Sequence, residues 1–76
     1  MFPGALVFDL LDSGLYAELA ADPTRLGERI PKGHKSFVVL DEVQKAPALL
    51  DEVHRLIETR KLRFVLTGLS ARKLRR

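Results

Sequence analysis

The chain has 76 residues and a mass of 8.6 kDa, which is enough for one small domain. It has no cysteine, which excludes a disulfide framework and a thiolate metal site and fits a reducing, cytoplasmic setting. Its hydrophobic content of 46% excludes a disordered chain. The formal net charge is +3, but a basic tail at 72–76 holds 4 of the 13 basic residues. Residues 1–71 therefore carry 9 basic and 10 acidic groups. We expect no basic nucleic-acid-binding face on this body of the domain.

The first half of the chain predicts one strand and two helices. The apolar run at 5–8 ends at Asp9 and predicts a strand that is buried on both faces. Either Asp12 or Ser13 is the expected cap of the helix that follows. Asp22 is the expected cap of a shorter helix that begins at Pro23. The apolar faces of these helices consist of Leu15, Tyr16, Leu19 and Ala20 in the first and Leu26 and Ile30 in the second.

The second half predicts two strands separated by a helix. Residues 37–40 form a continuous apolar run that stops at Asp41 and Glu42. A helix is predicted from Pro47, with Asp51 and Arg55 as an ion pair one turn apart. The third strand covers 64–66 and is closed by Thr67 and Gly68. The apolar stripe of the helix consists of Leu49, Leu50, Val53, Leu56 and Ile57.

The order of these elements predicts the fold class. Strands that alternate with helices form parallel sheets with right-handed crossovers. Continuous apolar strands are typical of such sheets, because both faces are covered. We therefore predict an α/β fold with a three-stranded parallel sheet and flanking helices.

Polar side chains follow all three predicted strands. In parallel α/β sheets, ligands bind outside the carboxyl ends of the strands. A carboxylate such as Asp41 suits Mg²⁺, and a second acid such as Glu42 can orient a water molecule for attack on a γ-phosphate. Two acids after a strand also occur as helix caps or solvated loop residues, so the pair alone leaves both interpretations open. The polar residues at the three strand ends are Asp9 and Asp12, then Asp41 and Glu42, then Thr67 and Ser70.

Three segments together resemble the AAA-type P-loop ATPases. They are LDEVQKAP at 40–47, LDEVHRLI at 50–57 and FVLTGLSAR at 64–72. The first strand, VFDLLD at 7–12, looks like the second core strand of that family. The resemblance covers nearly the whole chain. It is nearest to a largely uncharacterised bacterial and archaeal branch in which a C-terminal domain of unknown function follows the ATPase domain.

The resemblance implies a partial P-loop NTPase core, from the second to the fourth core strand, with ATP and Mg²⁺ as cofactors. It implies that Asp41 and Glu42 are the Walker B pair, Asp41 as the Mg²⁺ ligand and Glu42 as the catalytic base. It places the sensor-1 region after the third strand, where Thr67 is the first choice and Ser70 the second for contact with the γ-phosphate or water. Leu69 stands where the family usually has another serine, so no hydrogen bond is expected from that side chain.

The phosphate loop of that family, G-x-x-x-x-G-K-[ST], is missing from the sequence. The segment 27–36 has two glycines and a Lys-Ser pair, but five residues separate the glycines and His34 separates Gly33 from Lys35. The segment also precedes a strand, whereas a phosphate loop follows one. We expect the loop upstream, in a longer protein, and a fifth core strand beyond the end of the chain. The chain is then a fragment of an ATP-binding AAA-type ATPase that does not hydrolyse ATP alone.

Two other functions stay open at this point. The strand from Phe64 to Thr67 would be an exposed apolar edge without a neighbouring first strand, which favours a structural or interaction module that self-associates. The basic residues of the tail also allow a small nucleic-acid-binding protein, but a solvated helix end explains them better, so nucleic acid is not the expected partner. No membrane partner is expected, because no apolar run approaches about 18 residues.

Overall fold

The computed structural model describes residues 4–68, which form a parallel sheet packed against helices. Strand β2 lies between β1 and β3 and pairs with both in parallel. This confirms the predicted α/β fold with a three-stranded parallel sheet. The elements in chain order are β1 (Leu6–Asp9), α1 (Ser13–Ala21), α2 (Arg25–Glu28), β2 (Phe37–Asp41), a 3₁₀ turn (Val43–Lys45), α3 (Leu49–Arg60) and β3 (Arg63–Leu66).

The hydrophobic core joins one face of the sheet to the helices. Residues in register on neighbouring parallel strands share a face of the sheet. Phe8 is in register with Leu40, and both belong to the core cluster. The helices contribute to the same cluster through Leu19, Leu26, Leu49, Val53 and Leu56. This shared core fixes the order of the strands, and with it the position of the residues that follow each strand.

The opposite face of the sheet is less covered than the sequence predicts. Val7, Val39 and Val65 are in register across this face. Val7 on β1 is 56% exposed, whereas Val39 on β2 is 2% exposed. The prediction that the first strand is buried on both faces is therefore wrong. Within residues 4–68, β1 lies at an edge of the sheet, and only the central strand is shielded by a neighbour on each side.

The two N-terminal helices begin differently. The Asp12 carboxylate accepts a hydrogen bond from the Leu15 amide at 3.1 Å, so Asp12 is the cap of α1. The predicted cap at Asp22 is wrong, because α2 begins at Arg25. The Asp22 carboxylate instead accepts hydrogen bonds from the amide and the hydroxyl of Thr24, at 3.2 and 2.6 Å, and forms a turn that leads into the helix.

Helix α3 is the main amphipathic helix. It begins at Leu49, two residues after the predicted start at Pro47. Its predicted apolar stripe is too wide, because Leu50 and Ile57 are 45% and 42% exposed, whereas the other three residues of the stripe are buried.

Among residues 4–68, none of the helices has the length and apolar character that a membrane span requires.

The predicted ion pair on α3 involves a different acid. Arg55 donates hydrogen bonds from Nε and Nη2 to the carboxylate of Glu52, instead of pairing with Asp51. Glu52 is only 7% exposed, whereas Asp51 faces the solvent. The hydrogen bond from the guanidinium to Glu52 raises the pKa of Arg55. The arginine therefore partners the carboxylate that the helix buries.

Candidate functional site

The carboxyl ends of β2 and β3 are held together by backbone hydrogen bonds. The amide of Thr67, directly after β3, donates to the carbonyl of Leu40 at 2.9 Å. The carbonyl of Thr67 accepts from the amide of Val43 at 3.0 Å. These two bonds extend the pairing beyond the strands and bring Thr67 beside the acids that follow residue 40.

Asp41 and Thr67 are in direct contact at this edge. The Thr67 hydroxyl donates a hydrogen bond to Oδ1 of Asp41 at 2.7 Å. Asp41 is 9% exposed, so the bond forms where little water competes for the carboxylate. A hydrogen bond to an ionised carboxylate is shorter and stronger than a neutral one. The pair therefore presents a fixed cluster of carboxylate and hydroxyl oxygens at the edge of the sheet.

Glu42 is the most constrained residue of the site. Its backbone is left-handed, with φ of 62° and ψ of 42°, and its side chain is 1% exposed. Nε2 of Gln44 donates to Oε1 of Glu42 at 2.7 Å. Within residues 4–68, Oε2 of Glu42 is buried and has no hydrogen-bond partner. A buried carboxylate oxygen in this state can accept a hydrogen bond from a small ligand or a water molecule.

The end of β1 reaches the same edge of the sheet. Asp9 is in register with Asp41. Oδ1 of Asp9 accepts a hydrogen bond from the amide of Leu11 at 2.9 Å, and the amide of Leu10 donates to the carbonyl of Asp41 at 3.1 Å. Asp9, which ends β1, and Asp12, which caps α1, therefore both shape the turn between the strand and the helix.

Comparison with protein families decides the class of the molecule. A family model described as an AAA domain matches residues 3–76. The chain belongs to the AAA domain family. Comparisons with curated proteins and with solved structures gave no match. The resemblance to AAA-type ATPases seen in the sequence therefore holds at the level of the family.

The structure of this AAA domain places three of the four predicted site residues at one edge. Asp41 and Glu42 follow one another at the end of β2, and Thr67 contacts Asp41 from the neighbouring strand. Ser70, the second choice for the sensor position, lies outside the described residues. The roles of all four residues stay predictions.

Sequence reasoning missed Gln44 and the left-handed backbone of Glu42. Gln44 lies in the 3₁₀ turn after β2. A Cβ atom built on Gly68 would lie 3.3 Å from Oε1 of Gln44, so this side chain spans from Glu42 to the turn that follows β3. An amide two residues after an acid is a weak signal in a sequence, because only the turn brings the two side chains together.

The two histidines of the AAA domain make their contacts away from the carboxyl ends of β2 and β3. Nε2 of His34 is 3.2 Å from the carbonyl of Phe37, at the start of β2. His54 is exposed on α3 beside Glu58. Among residues 4–68, no group of three or more histidine, cysteine and acidic side chains is arranged to hold a metal ion.

Proposed function

We propose that this AAA domain forms the metal-binding and water-activating part of an AAA-type ATP-hydrolysing site. The observation that supports this most is the 2.7 Å hydrogen bond between Thr67 and Asp41 at the carboxyl edge of a parallel sheet. That edge is where ligands bind in α/β sheets. Asp41 and Glu42 are then the Walker B pair, and Thr67 is the sensor-1 residue that contacts the γ-phosphate or water. Ser70 is the second choice for that role.

The side chains at the edge have the chemistry that Mg²⁺ requires. Mg²⁺ is bound by one or two carboxylates and completes its shell with water and substrate phosphates. Asp41 would hold the ion, and Thr67 fixes the orientation of its carboxylate. When bound, Mg²⁺ neutralises negative charge on the phosphates during transfer. A site with one principal carboxylate therefore fits Mg²⁺ that arrives together with ATP.

Glu42 has the properties of a residue that orients water. One of its carboxylate oxygens is held by Gln44, and within residues 4–68 the other is buried without a partner. A carboxylate that accepts a hydrogen bond from water can receive a proton as the water attacks phosphorus. Its left-handed backbone is a strained conformation of the kind that clusters at functional sites.

We further propose that the 76-residue chain does not hydrolyse ATP by itself. Its sequence contains no phosphate loop, which supplies the backbone amides and the lysine that bind the phosphates. The chain then acts as part of a longer cytoplasmic ATPase, of the bacterial and archaeal branch with a C-terminal domain. ATP turnover above background that disappears in Glu42→Gln would contradict this proposal.

Nucleotide binding is tested by amide NMR of the isolated chain during titration with Mg²⁺ and ATP. We expect shifts that are largest near Asp41 and Thr67 and that require both components. Asp41→Asn should abolish the Mg²⁺ dependence, because the principal anionic ligand is lost. Asp51→Asn is the matched control, since Asp51 is exposed on α3 and away from the edge. Equal responses in the two variants would refute the assignment of Asp41.

A second candidate function is self-association through β3. Among the described residues, β3 is an edge strand of the sheet, and its Leu66 is 43% exposed. An apolar edge strand is a template for pairing with another chain. We expect sedimentation to show association that increases with concentration and weakens in Leu66→Lys. Leu50→Lys is the control, because Leu50 is equally exposed at 45% but lies on α3. A monomer at all concentrations would refute this function.

A further inference from the structure

Gln44 is a surface residue whose side chain reaches a buried carboxylate. Its backbone lies in the 3₁₀ turn after β2, where the residue is exposed. Its Nε2 nevertheless donates to Oε1 of Glu42 at 2.7 Å, although Glu42 is 1% exposed. A solvated glutamine would lose less side-chain entropy by staying in water. The hydrogen bond therefore constrains the side chain of Glu42, and Gln44 loses side-chain entropy in forming it.

The consequence for Glu42 is that its two carboxylate oxygens differ. An ionised carboxylate accepts hydrogen bonds at both oxygens. Gln44 takes Oε1, and within residues 4–68 Oε2 is buried without a partner. Leaving a buried acceptor unpaired is unfavourable, and a water molecule is the smallest group that can satisfy it. One oxygen is thus held by Gln44, and among the described residues the other has no partner.

We propose that Gln44 is the positioning residue of the site: its side-chain amide holds Oε1 of Glu42 so that Oε2 receives the water molecule. This inference rests on the proposed function, in which Glu42 activates water for attack on ATP. Gln44 itself touches neither metal nor phosphate in this scheme. It acts by fixing the rotation of the carboxylate, because a carboxylate held at one oxygen presents the other in one direction.

Gly68 provides the space for this arrangement. A Cβ atom at position 68 would lie 3.3 Å from Oε1 of Gln44, which is tighter than an ordinary contact. Gly68 directly follows Thr67, the residue that contacts Asp41. Gln44 therefore connects Glu42 to the turn that also presents Thr67, and a Cβ atom at position 68 would force the Gln44 amide to shift by a few tenths of an ångström.

The test is a pair of high-resolution crystal structures of the 76-residue chain, wild type and Gln44→Met. Methionine has nearly the length of glutamine but no amide. We expect one orientation of Glu42 in the wild type, with a water molecule in hydrogen-bond contact with Oε2. In Gln44→Met we expect loss of that water and a second carboxylate orientation. Lys45→Met is the matched control in the same turn, and it should leave both features unchanged.

NMR in solution provides a second test of the proposed role of Gln44. The side-chain amide protons of Gln44 should have NMR shifts far from those of a solvated glutamine, and Glu42→Ala should return them to the solvated values. Gly68→Ala should move them in the same direction without changing either partner. An unchanged carboxylate and water in Gln44→Met, or solvated Gln44 shifts in the wild type, would overturn the proposal.

Failure of this inference can be told apart from failure of the proposed function. Gln44→Met leaves the contact between Asp41 and Thr67 intact, so the NMR shifts caused by Mg²⁺ and ATP at those two residues should persist. Absence of these shifts in the wild type would refute the proposed binding of Mg²⁺ and ATP at Asp41 and Thr67. The crystallographic comparison would still decide whether Gln44 orients Glu42.

Discussion

Replacing Thr67 with valine tests the contact on which the candidate site depends. The two side chains have nearly the same shape, but valine has no hydroxyl, so the 2.7 Å hydrogen bond to Asp41 is lost. Hydrogen bonds to charged groups contribute about 1.5–3 kcal/mol. Since Asp41 is 9% exposed, water replaces the lost bond poorly, and we expect destabilisation within that range. A chain of this size unfolds with a free energy of about 4–11 kcal/mol, so the loss is a large fraction of the total.

The assay is urea and thermal unfolding followed by circular dichroism. The expected loss corresponds to a fall in Tm of about 6–24 °C for a domain of this length. Thr59→Val is the matched control, because the Thr59 hydroxyl also donates a hydrogen bond, to the carbonyl of Arg55 at 2.8 Å, but on the exposed surface of α3. Surface substitutions change stability by about 0.5 kcal/mol or less. Equal destabilisation in the two variants would refute the reasoning.

Three further predictions concern the packing of the helices. Arg60→Met should destabilise the chain by about 1.5–3 kcal/mol in urea unfolding, because its guanidinium donates to the carbonyls of α2 and the following turn, including Gly27 at 2.9 Å. Gly27→Val should cost about 1–3 kcal/mol in the same assay, since even a Cβ atom there would lie 3.2 Å from Leu56 on α3. The hydrogen bond from Arg29 lowers the pKa of Glu18 below its ordinary value of 4.5, so Arg29→Met should lower Tm at neutral pH, and the difference should shrink as the pH falls through 4.5 and vanish below the lower pKa of the folded state.

These predictions have their own controls. Arg25→Met removes an exposed pair with Asp22 at 3.9 Å and should have little effect, so a loss equal to that of Arg60→Met would contradict the role of the half-buried guanidinium of Arg60. Gly14→Ala should be tolerated, because its Cβ would lie at an ordinary 3.5 Å from Asp12. A Tm difference for Arg29→Met that stays constant from neutral to acidic pH would exclude the pairing with Glu18.

The parts of the fold that depend on local chemistry could be predicted from the sequence. The central strand was predicted because its apolar run is continuous and ends in two acids. The cap of α1 was narrowed to two residues, and Asp12 is the one whose side chain accepts the amide of Leu15. In both cases the responsible interactions lie within a few residues, so composition and spacing determine the outcome.

The parts that depend on distant contacts could not be predicted. The 3₁₀ turn after β2 forms where the Val43 amide donates to the carbonyl of Thr67, 24 residues further along the chain. The exposure of Val7 depends on which strands lie beside β1. Arg55 pairs with Glu52 and not with Asp51, because the packing of α3 buries Glu52 and leaves Asp51 exposed. None of these three features produces a periodic pattern in the sequence.

The left-handed backbone at Glu42 has a consequence for how this sequence could change. Within residues 4–68, the other non-glycine residue with positive φ is Lys61, which closes α3, where such a conformation is common. At Glu42 the conformation costs about 1–2 kcal/mol relative to glycine. Glycine at position 42 would therefore relax the chain and also remove a buried carboxylate. Backbone strain therefore favours replacing this side chain, so selection for stability alone should tend to remove Glu42, and with it the activity proposed for the site.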